Sequence, residues 1–242
     1  MTAAEAKPSA RPAAEAAKPA SAATSAVPLA RMAATEGVAT AFLLIAVVGS
    51  GIMAERLCGG NIGLALLANS IATGGALVAL ILAFAAQSGA HMNPAVTLWA
   101  ALTDGLAWRA VPAYVAAQTA GAIAGVWLAH LMFEVPVWQL GTHVRTGAGQ
   151  WLAEGIATFG LIAVIRGCRE RREASIAVGA YITGAYWFTA STSFANPAVT
   201  IARALTDSFA GIRPVDAPAF ILAQLAGMLL ALALLPRRAP AR

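Results

Sequence analysis

The sequence contains few charged residues and few of the side chains that bind metals. Only 11% of its residues are Asp, Glu, Lys or Arg, whereas a soluble domain carries about 25%, and this shortage excludes a soluble enzyme. Cysteine occurs only at Cys58 and Cys168, and neither has metal-ligating neighbours at a suitable spacing. The sequence therefore predicts no metal site and no cofactor.

In place of charge, the chain has long apolar runs. Hydrophobic side chains make up 59% of the sequence, and six stretches of roughly 20 residues are long enough to cross a hydrocarbon core about 30 Å thick. These stretches lie near Ala33–Met53, Ile62–Ala86, Val111–Phe133, Trp151–Ile165, Ser175–Thr192 and Ala217–Leu235. The spans leave only short loops, so we expect one all-α membrane domain over residues 32–235.

The basic residues are unevenly distributed. Residues 1–31 are rich in Ala and Pro and predict a disordered tail, and residues 236–242 form a second short tail. In a six-span topology one face receives most of the basic residues: Lys7, Arg11, Lys18, Arg31, Arg109, Arg166, Arg169, Arg171, Arg172, Arg237, Arg238 and Arg242. The other face receives Arg56, Arg145, Arg203 and Arg213. Because positive charge accumulates on the cytoplasmic side, both termini are predicted to be cytoplasmic, and the basic composition indicates membrane topology rather than nucleic-acid binding.

The chain also contains an internal repeat. The segment 93–104 returns as 196–207, with nine of its twelve positions identical. An acidic segment and an Ala-Gln segment repeat in the same order: Glu36–Thr40 with Glu154–Thr158, and Ala117–Gly121 with Ala223–Gly227. Each half has three spans, an odd number, so the second half must enter the membrane from the opposite side and form an inverted repeat.

Each copy of the repeated segment predicts a short helix that begins at its Asn-Pro pair. Asn is a strong N-cap residue and Pro suits the first helical position, so helices are predicted over Pro94–Thr103 and Pro197–Thr206. At about ten residues, each is ~15 Å long, half of the hydrocarbon core, and the two meet at the midplane. Both N-termini are partially positive, and the Asn93 and Asn196 amides are expected to donate into a pore. This arrangement predicts passage of uncharged solutes and exclusion of cations and protons.

These residues resemble the aquaporin family, also called the major intrinsic proteins. Residues 88–97 are similar to its first signature loop, and the resemblance covers residues 31–235. The paired motifs of the family match at corresponding places: Asn93, Pro94 and Ala95, and Asn196, Pro197 and Ala198. The resemblance implies six transmembrane helices plus two half-helices, one pore per subunit, a homotetramer and a bacterial inner membrane. It also implies that Glu36 and Glu154 are structural carboxylates that hold loop backbone near each half-helix.

One position departs from the family pattern. Most members carry an Arg after the second Asn-Pro-Ala motif, where it narrows the outer constriction and repels cations, but this chain has Val199. By spacing, the other constriction positions fall near Gly75 (or Thr73), Gly184 and Ser193. Such a set predicts a wide, weakly polar constriction for solutes larger than water. Arginine-less members resemble bacterial aquaglyceroporin-like channels associated with arsenic resistance, which implies polyols, neutral arsenous acid and related arsenicals as solutes.

Three nearby features have more than one interpretation. Arg203 lies four residues after Val199 and either brings positive charge to the pore mouth or pairs with Asp207, which the i,i+4 spacing favours. His91 is either a lumen-facing contact or a hydrogen-bonded loop residue. The aromatic run 186–188 either places one ring in the pore or faces lipid and other helices, which is the more common arrangement.

Other functions stay open. A coupled secondary transporter also uses inverted repeats and broken helices, although the predicted midplane carries amides and no pair of coupling carboxylates. A structural or adhesion protein with a closed pore is disfavoured by the short loops and the small constriction residues. Within the channel class, a narrower water-only pore is the alternative.

Overall fold

The computed structural model describes residues 27–103 and 105–235, and all regular secondary structure in these ranges is helical. The helices are α1 (Leu29–Leu57), α2 (Ile62–Ser88), α3 (Pro94–Thr103), α4 (Val111–Met132), α5 (Ala148–Gly167), α6 (Arg171–Phe188), α7 (Pro197–Arg203) and α8 (Ala217–Leu234). Short 3₁₀ turns at Trp108–Ala110 and Pro214–Asp216 lead into α4 and α8. The predicted tails at 1–26 and 236–242 lie outside the described residues, whereas residues 29–31 belong to α1.

Six of these helices form the transmembrane bundle. By length and composition, α1, α2, α4, α5 and α8 are each apolar enough to cross a membrane. The sixth, α6, carries Arg171, Arg172 and Glu173 in its first turn, which lowers its mean hydropathy. It packs against both α2 and α5, and its 18 residues reach ~27 Å.

The helix contacts follow the sequence repeat. In the first half α1 packs against α4 and α2, and in the second half α5 packs in the same way against α8 and α6. The halves join through α2 and α6, and each half-helix also contacts the opposite half. The fold is therefore the predicted inverted repeat, with α3 and α7 as its two half-helices.

Repeated glycines permit the closest helix crossings. A Cβ atom on Gly121 of α4 would overlap the carbonyl oxygen of Gly37 in α1. A Cβ atom on Gly227 of α8 would overlap the carbonyl oxygen of Gly155 in α5 in the same way. Small residues let membrane helices approach to backbone contact, so the repeated Glu-Gly and Ala-Gly segments specify the same crossing twice.

Helices α1 and α5 extend beyond their predicted spans at both ends, and α6 and α7 differ for reasons that their contacts show. Helix α6 begins at Arg171, four residues earlier than predicted, because Glu170 and Glu173 form a capping box. It also ends earlier, at Phe188, ahead of a loop that is partly left-handed. Helix α7 ends at Arg203 rather than at 206, because the Arg203 carbonyl accepts a hydrogen bond from the distant Ile212 N–H (3.2 Å).

Candidate pore

The two half-helices begin at their asparagines, as the sequence predicts. The Asn93 side-chain oxygen accepts from the Ala95 N–H at 2.9 Å. The Asn196 side-chain oxygen accepts from the N–H groups of Ala198 (3.0 Å) and Val199 (3.2 Å). Each asparagine thus satisfies N–H groups that the first helical turn leaves without an intrahelical partner.

The asparagine amides also lock the two N-termini together. Asn93 Nδ2 donates to the Ala195 carbonyl at 2.8 Å, and Asn196 Nδ2 donates to the Met92 carbonyl at 2.7 Å. The sequence predicts that both amide groups donate into the pore, whereas in the structure each uses one N–H on the opposite loop. Since an amide NH₂ carries two donors, each asparagine retains one for the cavity that it lines.

A buried carboxylate fixes the loop before α3. Glu36 is fully buried and accepts from the backbone N–H groups of His91 (2.9 Å) and Met92 (2.7 Å). It also accepts from the Ser88 hydroxyl (2.6 Å) and from Gln118 Nε2 (2.8 Å). Four donors thus compensate the buried charge, and the carboxylate holds the loop against α1 and α4.

The loop before α7 is held in the same way. Glu154 is fully buried and accepts from the N–H groups of Phe194 and Ala195, both at 2.8 Å, and from Gln224 Nε2 at 2.6 Å. Gln224 Nε2 also donates to the Thr200 hydroxyl on α7 at 2.8 Å. The geometry of both glutamates fits the loop-holding role that the family resemblance implies.

Both loops adopt left-handed backbone at matching positions. The residues with positive φ are Gly89, Ala90 and Met92 in the first loop and Thr192, Ser193 and Ala195 in the second. Within the described chain, no group donates to the carbonyl oxygens of Gly89, Ala90, Ser193 and Phe194, and these four residues all line the cavity. These oxygens are acceptors that a hydroxylated solute can use in place of water.

A cavity of about 200 Å³ runs between the two halves. It follows α6 from Ala174 to Tyr186, a length of ~18 Å at the helical rise. Trp99, Ala100, Ile165 and Ala174 line what we name the Ala100 end. Thr73, Tyr186, Val199 and Arg203 line what we name the Arg203 end. The asparagines lie between the two ends, and most of the wall is aliphatic.

The structure corrects one predicted constriction position, Gly184, and at another it selects Thr73, the alternative to Gly75. Ser193 and Val199 line the cavity, but Gly75 and Gly184 are exposed and do not. Thr73 and Tyr186 line it instead, and their hydroxyls lie 3.2 Å apart. Each glycine is two residues from the residue that faces the cavity, which corresponds to about 200° around the helix. Sequence spacing across the loops does not predict which side of the helix faces the cavity. The Arg203 end of the cavity is therefore more polar than a glycine pair would make it.

Both interpretations of His91 agree with the structure. It lines the cavity, and its Nδ1 lies 3.1 Å from the Thr97 hydroxyl of α3. Its ring centroid is 5.5 Å from that of Tyr114 on α4. The histidine is a hydrogen-bonded loop residue that also borders the lumen.

The expected pairing of Arg203 with Asp207 is wrong. The Asp207 carboxylate accepts from the Thr142 hydroxyl (2.6 Å) and N–H (3.0 Å), and these hydrogen bonds lower its pKa. Arg203 is buried, donates from Nε to the Ala210 carbonyl, and stacks 3.4 Å from the centroid of the Phe194 ring. The i,i+4 geometry does not exist, because α7 ends at Arg203.

Arg203 also borders a second cavity, which we name the vestibule. It has a volume of about 570 Å³ and is lined by polar and charged residues that include Glu55, Cys58, His143 and Arg145. The cavity and the vestibule therefore adjoin at the Arg203 side chain. The alternative interpretation, in which Arg203 brings charge to a pore mouth, agrees with this position.

The sequence did not predict a role for Phe194 or Arg145 at this end of the cavity. Phe194 is the repeat counterpart of His91, two residues before the second asparagine, so the repeat itself contained that signal. Arg145 lies between α4 and α5, outside the repeat, and donates from Nε to the Gly211 carbonyl at 2.8 Å. Burial lowers the pKa of its guanidinium, and the nearby Glu154 carboxylate opposes that shift.

Comparison with known proteins decides the family. A profile described as major intrinsic protein matches residues 23–174. The chain belongs to the major intrinsic protein family. Aquaglyceroporin AqpS of Rhizobium meliloti (strain 1021) is 55% identical over 209 residues, which cover 86% of this chain and 89% of that protein. Aquaporin NIP1-4 of Oryza sativa subsp. japonica is 36% identical over 152 residues, which cover 57% of this chain and 54% of that protein.

The fold comparison agrees with the family. The X-ray structure of the aquaglyceroporin from Plasmodium falciparum matches with a TM-score of 0.63 and 22% identity, over 84% of this chain and 94% of that one. This likeness shows that the fold is shared. Major intrinsic proteins are membrane channels and not enzymes, so the chain is a multi-pass channel for small solutes.

Proposed function

We propose that this major intrinsic protein conducts small uncharged solutes passively and excludes ions and protons. The proposed solutes are water, glycerol-like polyols, neutral arsenous acid and related arsenicals. The observation that carries the proposal is a largely aliphatic cavity whose polar lining consists of two asparagine amides, loop residues, a few hydroxyls, the His91 ring and the single charged side chain of Arg203. We propose the two Asn-Pro-Ala motifs as its midplane lining and Ser193 and Val199 as part of its constriction.

The chemistry of the wall favours neutral molecules. A polyol that leaves water can bond to the remaining asparagine N–H groups and to the unpaired loop carbonyls. An ion loses its hydration against an aliphatic wall that does not replace it. A cation is further repelled by the partially positive N-termini of α3 and α7.

Val199 supports solutes larger than water. The valine lines the Arg203 end and presents two methyl groups where a guanidinium would present charge and donors. Arsenous acid is uncharged at neutral pH and carries three hydroxyl groups, as glycerol does. A pore that accepts glycerol through these contacts therefore suits arsenous acid.

We propose that the channel is a homotetramer in a bacterial plasma membrane, with both termini cytoplasmic. The bacterial relative supports the membrane, and the distribution of basic residues supports the orientation. Arg109 precedes α4, and Arg169 lies between α5 and α6, at the predicted cytoplasmic face. The Arg203 end would then open to the outside. The mass of the detergent-solubilised protein, corrected for bound detergent, tests the tetramer.

The two cysteines test the orientation. Cys58 lies at the C-terminus of α1 beside the vestibule, and Cys168 lies at the C-terminus of α5. Cys168→Ser and Cys58→Ser each leave one thiol. A membrane-impermeant maleimide should label Cys58 in intact spheroplasts and Cys168 only after permeabilisation, and the reverse pattern would invert the topology.

Proteoliposomes test the function. Stopped-flow light scattering should show faster entry of water, glycerol, urea and arsenous acid than in protein-free liposomes, without any ion gradient. Transport that requires a proton or sodium gradient would indicate a coupled transporter. Water flux alone would indicate a water-only channel, and no flux of any solute would indicate a closed structural protein.

A further inference from the structure

Arg203 is the largest of the fully buried side chains in the described chain, yet it borders open space on two sides. Its relative exposure is 2%, and it lines both the cavity and the vestibule. A solute that moves between the two spaces therefore passes its guanidinium. An arginine whose role is only to support the fold would not need to lie where the two spaces adjoin.

The guanidinium is held in a fixed place. Its Nε donates to the Ala210 carbonyl, and its carbon lies 3.4 Å from the centroid of the Phe194 ring. That ring packs edge-to-face on Phe220 at 5.2 Å, and the Phe194 N–H donates to the buried Glu154. Stacking on an aromatic face favours a cation at this distance, so the charge has little freedom to move.

Arg203 forms no ion pair with a carboxylate within the described residues, although the buried Glu154 carboxylate attracts its charge at longer range. Arg213 and Asp216 form the ion pair found there, and Asp207 is bonded to Thr142. Glu154 accepts hydrogen bonds from Phe194, Ala195, Gln224 and Ser191, and none comes from Arg203. No acceptor in this part of the chain bonds to the terminal amino groups of Arg203, which leaves their donors to the cavity and the vestibule.

A second polar group faces the same stretch without a partner. The Ser193 hydroxyl is buried, lines the cavity, and has no hydrogen-bond partner among the described residues. A buried hydroxyl without a partner is costly, and a hydroxylated solute beside it would remove that cost. The Arg203 end thus combines a fixed cation with a buried hydroxyl that has no partner among the described residues.

We infer that Arg203 is the charge-selecting residue of this channel. It follows Val199 by four residues, about 6 Å further along α7, so pore width and pore charge are set by different residues. The valine leaves room for polyols, and the displaced arginine repels cations and donates to neutral solutes. This inference rests on the proposed function, because it assumes that solutes cross the cavity.

Urea and the guanidinium ion provide the test. Both are planar and have four heavy atoms, but only guanidinium is a cation at neutral pH. Proteoliposomes of the wild-type channel should admit urea and exclude guanidinium. Arg203→Gln keeps an amide donor for the Ala210 carbonyl and removes the charge. It should raise guanidinium entry by about tenfold or more, because one unit charge at close range changes a barrier by a few factors of ten in a poorly solvated site.

Two further variants separate selection from structure. Arg203→Lys keeps the charge and should stay closed to guanidinium, while Arg56→Gln removes an exposed arginine outside both cavities and should behave as wild type. Urea entry should change less than about threefold in all three variants, since its hydrogen bonds contribute only modest net free energy.

The outcomes are distinct. If wild-type protein admits no urea, the proposed function fails. If urea enters and Arg203→Gln stays as closed to guanidinium as wild type, the barrier lies elsewhere and the inference is wrong. If Arg203→Gln does not fold, Arg203→Lys and wild type still decide the matter: guanidinium entry as fast as urea entry in either protein overturns the inference.

Discussion

The loop before α3 and the loop before α7 are built to the same plan. In each loop two consecutive N–H groups donate to a buried glutamate, and a glutamine amide links that glutamate to a threonine of the half-helix. Each loop also offers one carbonyl to the asparagine of the other loop. The contacts that the sequence repeat encodes are therefore those at the midplane.

The loops differ in the side chain that donates a hydrogen bond to a serine carbonyl, which belongs to Ser88 in the first half and to Ser191 in the second. In the first half the Tyr114 hydroxyl donates to the Ser88 carbonyl at 2.7 Å. The counterpart of Tyr114 is Phe220, which has no hydroxyl, and Arg145 Nη1 lies 3.3 Å from the Ser191 carbonyl instead. The first loop is supported from within its own half, whereas the second depends on the connection between the halves.

The two pore ends differ as well. Ala100 and Arg203 are both seven residues after their asparagines, and both line the cavity. One end is thus uncharged and the other carries a fixed cation. Under the proposed function, the shared midplane would determine what the pore accepts in general, and the Arg203 end would distinguish one solute from another.

The largest expected effect comes from the glycines that both halves share. Gly121→Val and Gly227→Val should each abolish the folded channel, because a side chain there would overlap the carbonyl oxygen of the opposing helix. Fluorescence-detected size-exclusion chromatography of the detergent-solubilised protein measures the loss. Gly149→Ala is the matched control, since a Cβ on that α5 residue meets no atom within 4 Å. Normal folding of either valine variant would show that the crossing tolerates separation.

The next effect concerns pore width. Val199→Arg should slow glycerol entry by about tenfold or more while water entry falls less, because filling a pocket by a few methylenes excludes the larger solute first. Val199→Ile is the uncharged control. Val96→Ile, at the equivalent position in the first half, should affect glycerol less than Val199→Ile, since the Thr73 and Tyr186 hydroxyls, 3.2 Å apart, line the cavity at the Arg203 end. Unchanged glycerol entry in Val199→Arg would contradict our account of the constriction.

The sequence predicts the repeated part of this molecule well. The paired asparagine caps, the inverted halves and the start of each half-helix follow from local residue chemistry and from an odd number of spans. The bounds of α3 agree with the prediction because both of its ends depend on neighbouring residues. The buried glutamates follow from the family resemblance, and their positions agree with it.

The parts that the sequence did not predict depend on distant contacts. The hydrogen bond from Ile212, in another segment, determines where α7 ends. Contacts with Phe194 and Ala210 determine the position of the Arg203 side chain. Residue spacing across the loops places Gly75 and Gly184 at the constriction. Such spacing does not determine which side of a helix faces the cavity. Arg145 lies outside the repeat, so no internal comparison could identify it.

A smaller effect on stability compares the hydrogen bond from Tyr114 to the Ser88 carbonyl with the one from Arg145 to the Ser191 carbonyl. Tyr114→Phe removes one neutral hydrogen bond and should lower the free energy of unfolding by about 1 kcal/mol. Arg145→Gln removes the guanidinium bonds to Ser191 and Gly211 and should cost somewhat more. Adding Phe220→Tyr to Arg145→Gln should recover part of the loss, because the new hydroxyl would occupy the place that Tyr114 occupies in the first half. Thermal unfolding of the four proteins in detergent measures the recovery, and a purely additive loss would show that the two halves are not interchangeable here.

The smallest effect is a dependence on acid that only the second half should show. The loop before α3 has no acidic residue, whereas Asp207 and Asp216 anchor the segments around the Arg203 end. Hydrogen bonds from Thr142 lower the pKa of Asp207, and those from Arg213 lower the pKa of Asp216. A folded-state pKa below the unfolded value of about 3.9 means that the stabilisation is complete above that pH and is lost as the pH falls through the folded-state pKa.

We therefore expect the unfolding temperature to be nearly constant from about pH 7 to 5 and to fall below about pH 4. The contribution should stay under about 1 kcal/mol, because Asp207 is exposed and Arg213, the partner of the buried Asp216, is itself 37% exposed. Asp207→Asn combined with Asp216→Asn should unfold at a lower temperature at neutral pH and should show a weaker fall in acid. If the double variant loses stability in acid as steeply as wild type, the acid-sensitive groups lie in the part of the molecule that both halves share.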